Sequence, residues 1–336
     1  MQLLSTGFRN DGNDGNDGND GNDGNDGNDG NTGNTFSLSS IAAYQGLVTS
    51  PLLAQALWTT QGELTRGISG IGNPVPTVGP LNQDVAFSRW SRDVRGHQYE
   101  FELVSGLQFD NTNPAKGKLH FPAGAPNPNP FELTTPKYED PNQQPQALNN
   151  ALQEVFNKAA LRADRMNEIL TQIAVPYAFF AMVLNLQPGR HRFTYELMTA
   201  IFRFSTITVM QFKHHFRVRR PADHSPLVQP VVLTPGHGSY PAGHATQGAF
   251  VATVLKALVG NVLGADLANQ LDTLALRIAE NRVVAGLHFV EDNDAGAKLG
   301  AALAQYFLFM ATPANAALPP KTALNWLWLK ASAEWQ

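Results

Sequence analysis

Three short stretches carry side chains whose types and spacing could do chemistry together. In the first, six residues separate Lys213 from Arg220, which Pro221 follows. That interval is almost two helical turns, so the two cations are predicted to share one face of a helix that ends at Pro221. Paired cations suit an anion. A basic run facing water would read the same way, and His214, His215, Arg217 and Arg219 fit that plainer description. The second stretch, Tyr240 to Thr246, leads from a Pro/Gly loop into an apolar helix and puts Gly243 and His244 at its start. Glycine there lets the backbone approach an anion, which the free N–H groups and the helix dipole favour. His237 stands seven residues before His244, and either imidazole could instead be a hydrogen-bonded structural residue. The third stretch holds Arg282, His288 and Asp292, with Gly286 placed to stop the helix bearing Arg282. Asp292 falls one turn after His288. Its carboxylate can accept the imidazole Nδ1–H and leave Nε2 as a ligand or nucleophile, or can act as an ordinary first-turn acid.

The elements that must position these residues are helical. After Pro145, Leu152, Val155, Phe156, Ala159, Ala160 and Ala163 recur at the spacing of an amphipathic helix. The pattern predicts helices over Ala147–Ala174, Pro176–Leu186, Phe193–Arg217, Ala245–Leu263, Leu267–Val284 and Val290–Ala311. The fold class expected is all-α, a helical bundle with long ordered loops. Residues 36–142, rich in Gly, Pro and Asn with scattered aromatics, read as irregular structure and short helices laid over that bundle.

Composition narrows the functions further. The chain has 336 residues, 43% of them hydrophobic and 15% charged, as in a globular protein. Of 28 acidic and 24 basic residues, seven and one respectively lie within residues 1–35, so the remainder is close to neutral. That balance gives no nucleic-acid footprint. With no cysteine, disulfides, thiolate metal sites and thiol catalysis are excluded. The opening residues lack the pattern of a signal peptide, and the longest apolar stretches are too short or too interrupted by Arg203 and Lys256 to span a membrane. Asn-Asp-Gly repeats run from Asn10 to Gly30 with nothing apolar to bury. Residues 1–35 therefore read as a disordered tail preceding a single domain over 36–336. A calcium-binding β-roll, with the tail as the active part of an adhesion protein, is the rival, but it needs an apolar packing position that the repeat lacks.

The order, internal spacings and separations of the three stretches together resemble the signature shared by vanadium-dependent haloperoxidases and the type 2 phosphatidic acid phosphatase superfamily. The resemblance covers Lys213 to Asp292 by motif and extends to the helices of about 147–311, while residues 1–140 carry no matching motif. It implies that family's helical bundle, with vanadate or phosphate as the bound anion. Lys213, Arg220 and Arg282 would clamp its oxygens, the Gly243 N–H would donate a further bond, and His288 would bond vanadium or attack phosphorus. His244 would be the acid–base residue and Asp292 would orient His288. Two positions depart from the usual pattern: Ala242, counted by its place in the motif among the anion-binding residues, replaces a serine, at a cost of about 1.5–3 kcal/mol if no other donor serves the anion, and Asn281 replaces another serine but keeps a side-chain donor. His237 and the run Gly236–Gln247 resemble bromoperoxidases, and His237 would stand at the halide site. The implied function is vanadium-dependent oxidation of bromide or iodide by hydrogen peroxide to hypohalous acid, with an organic acceptor beyond. The alternative is a phosphatase acting through a phosphohistidine at His288. Relatives of this kind often form homo-oligomers.

Overall fold

The computed structural model describes residues 51–66, 83–126, 129–174, 176–260, 264–314 and 321–336. The Asn-Asp-Gly repeats lie outside them. By residue contacts the chain divides into two compact units, Met1–Arg95 and Gly96–Gln336. The first contains helices α1 (Pro51–Thr65) and α2 (Gln83–Ser88), and α3 (Arg92–Val104) begins at its end. All residues of the candidate site belong to the second unit.

That second unit is helical, with one small sheet. Its further helices are α4 (Gln146–Ala159), α5 (Arg162–Thr171), α6 (Tyr177–Leu184), α7 (Arg192–Phe216), α8 (Pro221–His224), α9 (Gly243–Val259), α10 (Ala265–Val284), α11 (Val290–Ala311) and α12 (Ala323–Ala333). Helix α9 is apolar around most of its circumference, and α7, α10 and α11 pack against it. Glycines set how closely they approach. A Cβ on Gly296 of α11 would lie 2.5 Å from the Ala242 carbonyl oxygen, and one on Gly300 would come closer still to that of Thr246. On another side, a Cβ on Gly248 would meet the Ala275 backbone of α10 at 3.3 Å. Main-chain contact of this kind fixes the start of α9 against the first half of α11 with little freedom to slide.

Distant carboxylates satisfy the free N–H groups at two other helix starts. Glu334 accepts from Phe193 and Thr194 at the start of α7, both at 2.8 Å, and Glu102 accepts from Ala323 and Leu324 at the start of α12.

Several expected elements differ. The helix predicted over 147–174 is two helices, broken at Ala160–Leu161. Just past the break, the Arg162 guanidinium is tied to the carbonyls of Val228, Gln229 and Val284, which holds α5 on its own course. Within the loop-rich part, Gln108–Asn113, Lys116–His120 and Phe131–Thr134 form strands β1, β2 and β3 of an antiparallel sheet in that order. The sheet lies over the last turns of α7. Phe109 packs edge-on against Phe212 at 4.9 Å between ring centroids, and a Cβ on Gly117 would meet Phe212 at 3.1 Å. Helix α12 was not predicted; α11 has the predicted limits.

Candidate active site

Lys213 lies in the last turn of α7 and is 3% exposed. Its ammonium donates to the carbonyls of Gly238 and Ser239 at 2.7 and 2.8 Å. Burial, then the charge of Arg220, pushes its pKa well below the usual lysine value, against a smaller pull from Asp292. The predicted shared helix face is incorrect. Helix α7 stops at Phe216, Arg217 takes the left-handed conformation at φ 52°, and Arg220 is extended, as a residue before proline prefers. Arg220 thus returns towards Lys213 from an irregular segment. Its Nε donates to the His237 carbonyl at 3.1 Å and its Nη1 to that of Leu287 at 3.0 Å.

His288 follows the turn at Gly286, whose φ of +79° is a left-handed value that glycine adopts without strain. Its Nδ1 lies 3.1 Å from Asp292 Oδ2 and 3.2 Å from Ser239 Oγ. Asp292 is fully buried in the first turn of α11. Its Oδ2 also accepts from Ser239 Oγ at 2.5 Å and the Phe289 N–H at 2.9 Å, and Tyr138 donates to Oδ1. Burial alone would raise the Asp292 pKa, but hydrogen bonds from His288, Ser239 and Tyr138 outweigh it and hold the carboxyl below its usual value. His288 itself falls to about 3, chiefly through burial, with Arg220 and Lys213 adding to the effect and Asp292 opposing it. The pair is therefore a carboxylate and a neutral imidazole with its proton on Nδ1. The lone pair stays on Nε2, 3.4 Å from Arg220 Nη1.

The other half of the site gathers where α5 ends. Arg282, 1% exposed in the last turn of α10, donates from Nη2 to the Ile169 carbonyl at 3.1 Å and to Gln172 Oε1 at 3.3 Å. Burial lowers its pKa to about 10. His244, in the first turn of α9, places Nε2 at 2.8 Å from the Gln172 carbonyl, which requires the proton there and leaves the lone pair on Nδ1. Burial, then Arg282, brings its pKa to about 3, and Lys213 contributes as well. Because Lys213 acts on both imidazoles, it links the two halves electrostatically.

The structure thus brings Lys213, Arg220, His288 and Asp292 into one bonded network through Gly238 and Ser239, and His244 and Arg282 into a second through Gln172. Gly243 begins α9 with no side-chain cap, and a Cβ there would meet only Val209, at 3.9 Å. His237 sets Nδ1 3.2 Å from Arg220 Nη2. A groove of about 590 Å³ is lined in part by Met210, Lys213, His214, Arg217 and His237; it reaches the site at Lys213, and its lining does not include Arg220, His244, Arg282 or His288.

Two expectations need correction. Ala242 offers the site no donor: its N–H bonds the Asp292 carbonyl at 2.9 Å and its methyl is buried with Ala245 and Ala279. The Asn281 amide is also committed, to Glu168 at 2.9 Å and Gln172 at 3.0 Å. Ser239, Tyr138 and Gln172 were missed. Ser239 lies within the quoted Gly236–Gln247 run, but nothing local in sequence marks Tyr138 or Gln172.

The chain matches no protein-family profile and no curated protein sequence. Among solved structures, a transmembrane PAP2-type phosphatidylglycerolphosphate phosphatase from Bacillus subtilis is similar over 48% of this chain and 84% of that one, at 21% identity and a TM-score of 0.37. A likeness at that level assigns no activity. Among the described residues, no helix is long and apolar enough to cross a membrane.

Proposed function

We propose that this chain is an enzyme that holds a tetrahedral oxyanion against His288 Nε2, first as a vanadium-dependent haloperoxidase and second as a phosphatase. The observation that carries the proposal is the placement of two imidazoles, His288 and His244. Each has one nitrogen engaged by an acceptor, and three buried cations accompany them. Buried cations without carboxylate partners of equal number are costly unless an anion completes them. Arg282 Nε, buried and without a hydrogen-bond partner among the described residues, together with the uncapped start of α9, fits such an anion.

For vanadate, Lys213, Arg220, Arg282 and the Gly243 N–H would hold the oxygens and His288 Nε2 would bond the metal. Bound there, vanadate supplies a Lewis acid that activates hydrogen peroxide towards bromide or iodide. The protein's part is to fix the cations in place and to offer His244 Nδ1 as acceptor for the peroxide proton. Asp292 keeps the His288 proton on Nδ1 so that Nε2 remains a donor of electrons. His237 favours this reading over the phosphatase: the residue that resembles bromoperoxidases stands against Arg220 and lines the groove.

The phosphatase reading is favoured by the His288 lone pair, which needs no cofactor. Nε2 would attack phosphorus as the P–O bond to the leaving alcohol breaks, and His244, protonated once the dianion is bound, would give its proton to that alcohol. Water would then release phosphate from His288.

Halogenation of monochlorodimedone by vanadate-loaded protein with peroxide and bromide or iodide, run beside p-nitrophenyl phosphate hydrolysis by vanadate-free protein, separates the two. Halogenation that requires vanadate supports the first reading, and hydrolysis alone supports the second. Inactivity in both assays, with no oxyanion binding, would overturn both.

A further inference from the structure

Resting on the oxyanion reading above, we infer that Gln172 supplies the hydrogen-bond donor that Ala242 cannot, its side-chain amide binding an oxyanion oxygen beside Arg282. Gln172 is the first residue after α5 and is 0% exposed. Its Oε1 accepts from Asn281 Nδ2 at 3.0 Å and from Arg282 Nη2 at 3.3 Å. Two donors on that atom fix which end of the amide is oxygen, since the flipped amide would set NH2 against both. Nε2 is then the other end, buried and without a hydrogen-bond partner among the described residues. Buried donors are rarely left so, and the exceptions ask for an explanation.

The surroundings supply one. Arg282 Nε, on the guanidinium that Gln172 touches, is orphaned as well. The Gln172 main-chain carbonyl holds His244 Nε2 at 2.8 Å, so one residue contacts two of the groups assigned to the oxyanion. It is also braced from behind. Asn281 bonds Glu168 Oε2 at 2.9 Å, and Glu168 is held by Arg277 at 2.7 and 2.8 Å. A bound tetrahedral oxyanion would satisfy both orphans at once and restore the donor lost where Ala242 replaces serine.

The test is calorimetric titration of the full chain with inorganic phosphate and with orthovanadate. Gln172→Met keeps the volume, while Asn281 retains Glu168 and Arg282 retains the Ile169 carbonyl as acceptors. The variant should bind both anions about ten- to a hundredfold more weakly, the scale of one hydrogen bond to a charged group. Wild-type protein that binds neither anion would overturn the oxyanion reading and this inference with it. Wild-type binding matched by Gln172→Met would overturn the role of Gln172 alone. If the variant does not fold, wild-type protein carrying ¹⁵N in its glutamine side chains decides: phosphate should shift one NH2 pair downfield, as donation to an anion does, and no shift would refute the inference.

Discussion

Replacing Gly296 by alanine tests the contact that holds the two halves of the site together. The added Cβ would lie 2.5 Å from the Ala242 carbonyl oxygen, 3.0 Å from the Ala245 Cβ and 3.2 Å from the Thr246 nitrogen. A relaxed carbon–oxygen contact is at least about 3.3 Å, so α9 and α11 must part by about 0.8 Å. Alanine in a helix gains about 1 kcal/mol over glycine. Forcing a methyl against main chain costs about 3 kcal/mol, the upper end of the overpacking range, because no flexible side chain can yield. The net loss should be about 2 kcal/mol, a fall in Tm of about 4–8 °C for a unit of this size. Function should suffer more than stability. The obstructed carbonyl accepts the Thr246 N–H at 3.1 Å in the first turn of α9, the turn that carries Gly243 and His244, while His288 directly precedes α11. A displacement approaching 1 Å between them should cost on the order of a hundredfold in turnover. Thermal unfolding and turnover in the halogenation and hydrolysis assays, on the same sample, provide the test. Wild-type values in both would show that the α9–α11 contact does not set the site's geometry.

Acidification should destabilise the protein through its two depressed histidines. In the unfolded chain each takes up a proton near pH 6.5, whereas in the folded chain His244 and His288 stay neutral to about 3. The unfolded state binds more protons between those values, so urea midpoints should fall as pH drops through that window, by at most about 1.4 kcal/mol per pH unit for each histidine; a flat profile in wild type would refute the assignment. Asp292→Asn keeps the shape but removes the charge shared by Ser239, His288 and the Phe289 N–H. It should cost about 2–4 kcal/mol of stability and at least about tenfold in turnover, so a variant equal to wild type in unfolding and rate assays would show that Asp292 does not orient His288. His288→Ala should abolish halogenation and hydrolysis alike, and retained turnover would mean the site is misplaced. His237→Phe should lower bromide turnover more than orthovanadate affinity; equal losses would mark His237 as a support for Arg220.

What the sequence determined by itself is local. The limits of α11 followed from apolar periodicity, and the contact between His288 and Asp292 followed from their short separation across the helix start, where a first-turn carboxylate reaches back past the N-cap. Gly286 was recognisable as the stop after Arg282 for a similar reason: its positive φ is a property of one residue. Tertiary structure decided the rest. Arg220 reaches the site by an extended approach rather than along a helix face, because α7 ends early at Arg217. The Asp292 carboxylate is completed by Ser239 and Tyr138, 53 and 154 residues away, and Arg282 meets Gln172 across 110 residues. Such partners have no spacing rule, since chain folding brings them together and any residue with the right atoms would serve. The sheet over α7 was hidden likewise: its strands are four to six residues long, and they are held by pairing and by the ring of Phe212 rather than by a strong pattern of their own. Ala242 shows the same limit, because the sequence reveals the missing hydroxyl while only the packing shows its methyl buried and the orphaned Gln172 amide beside Arg282.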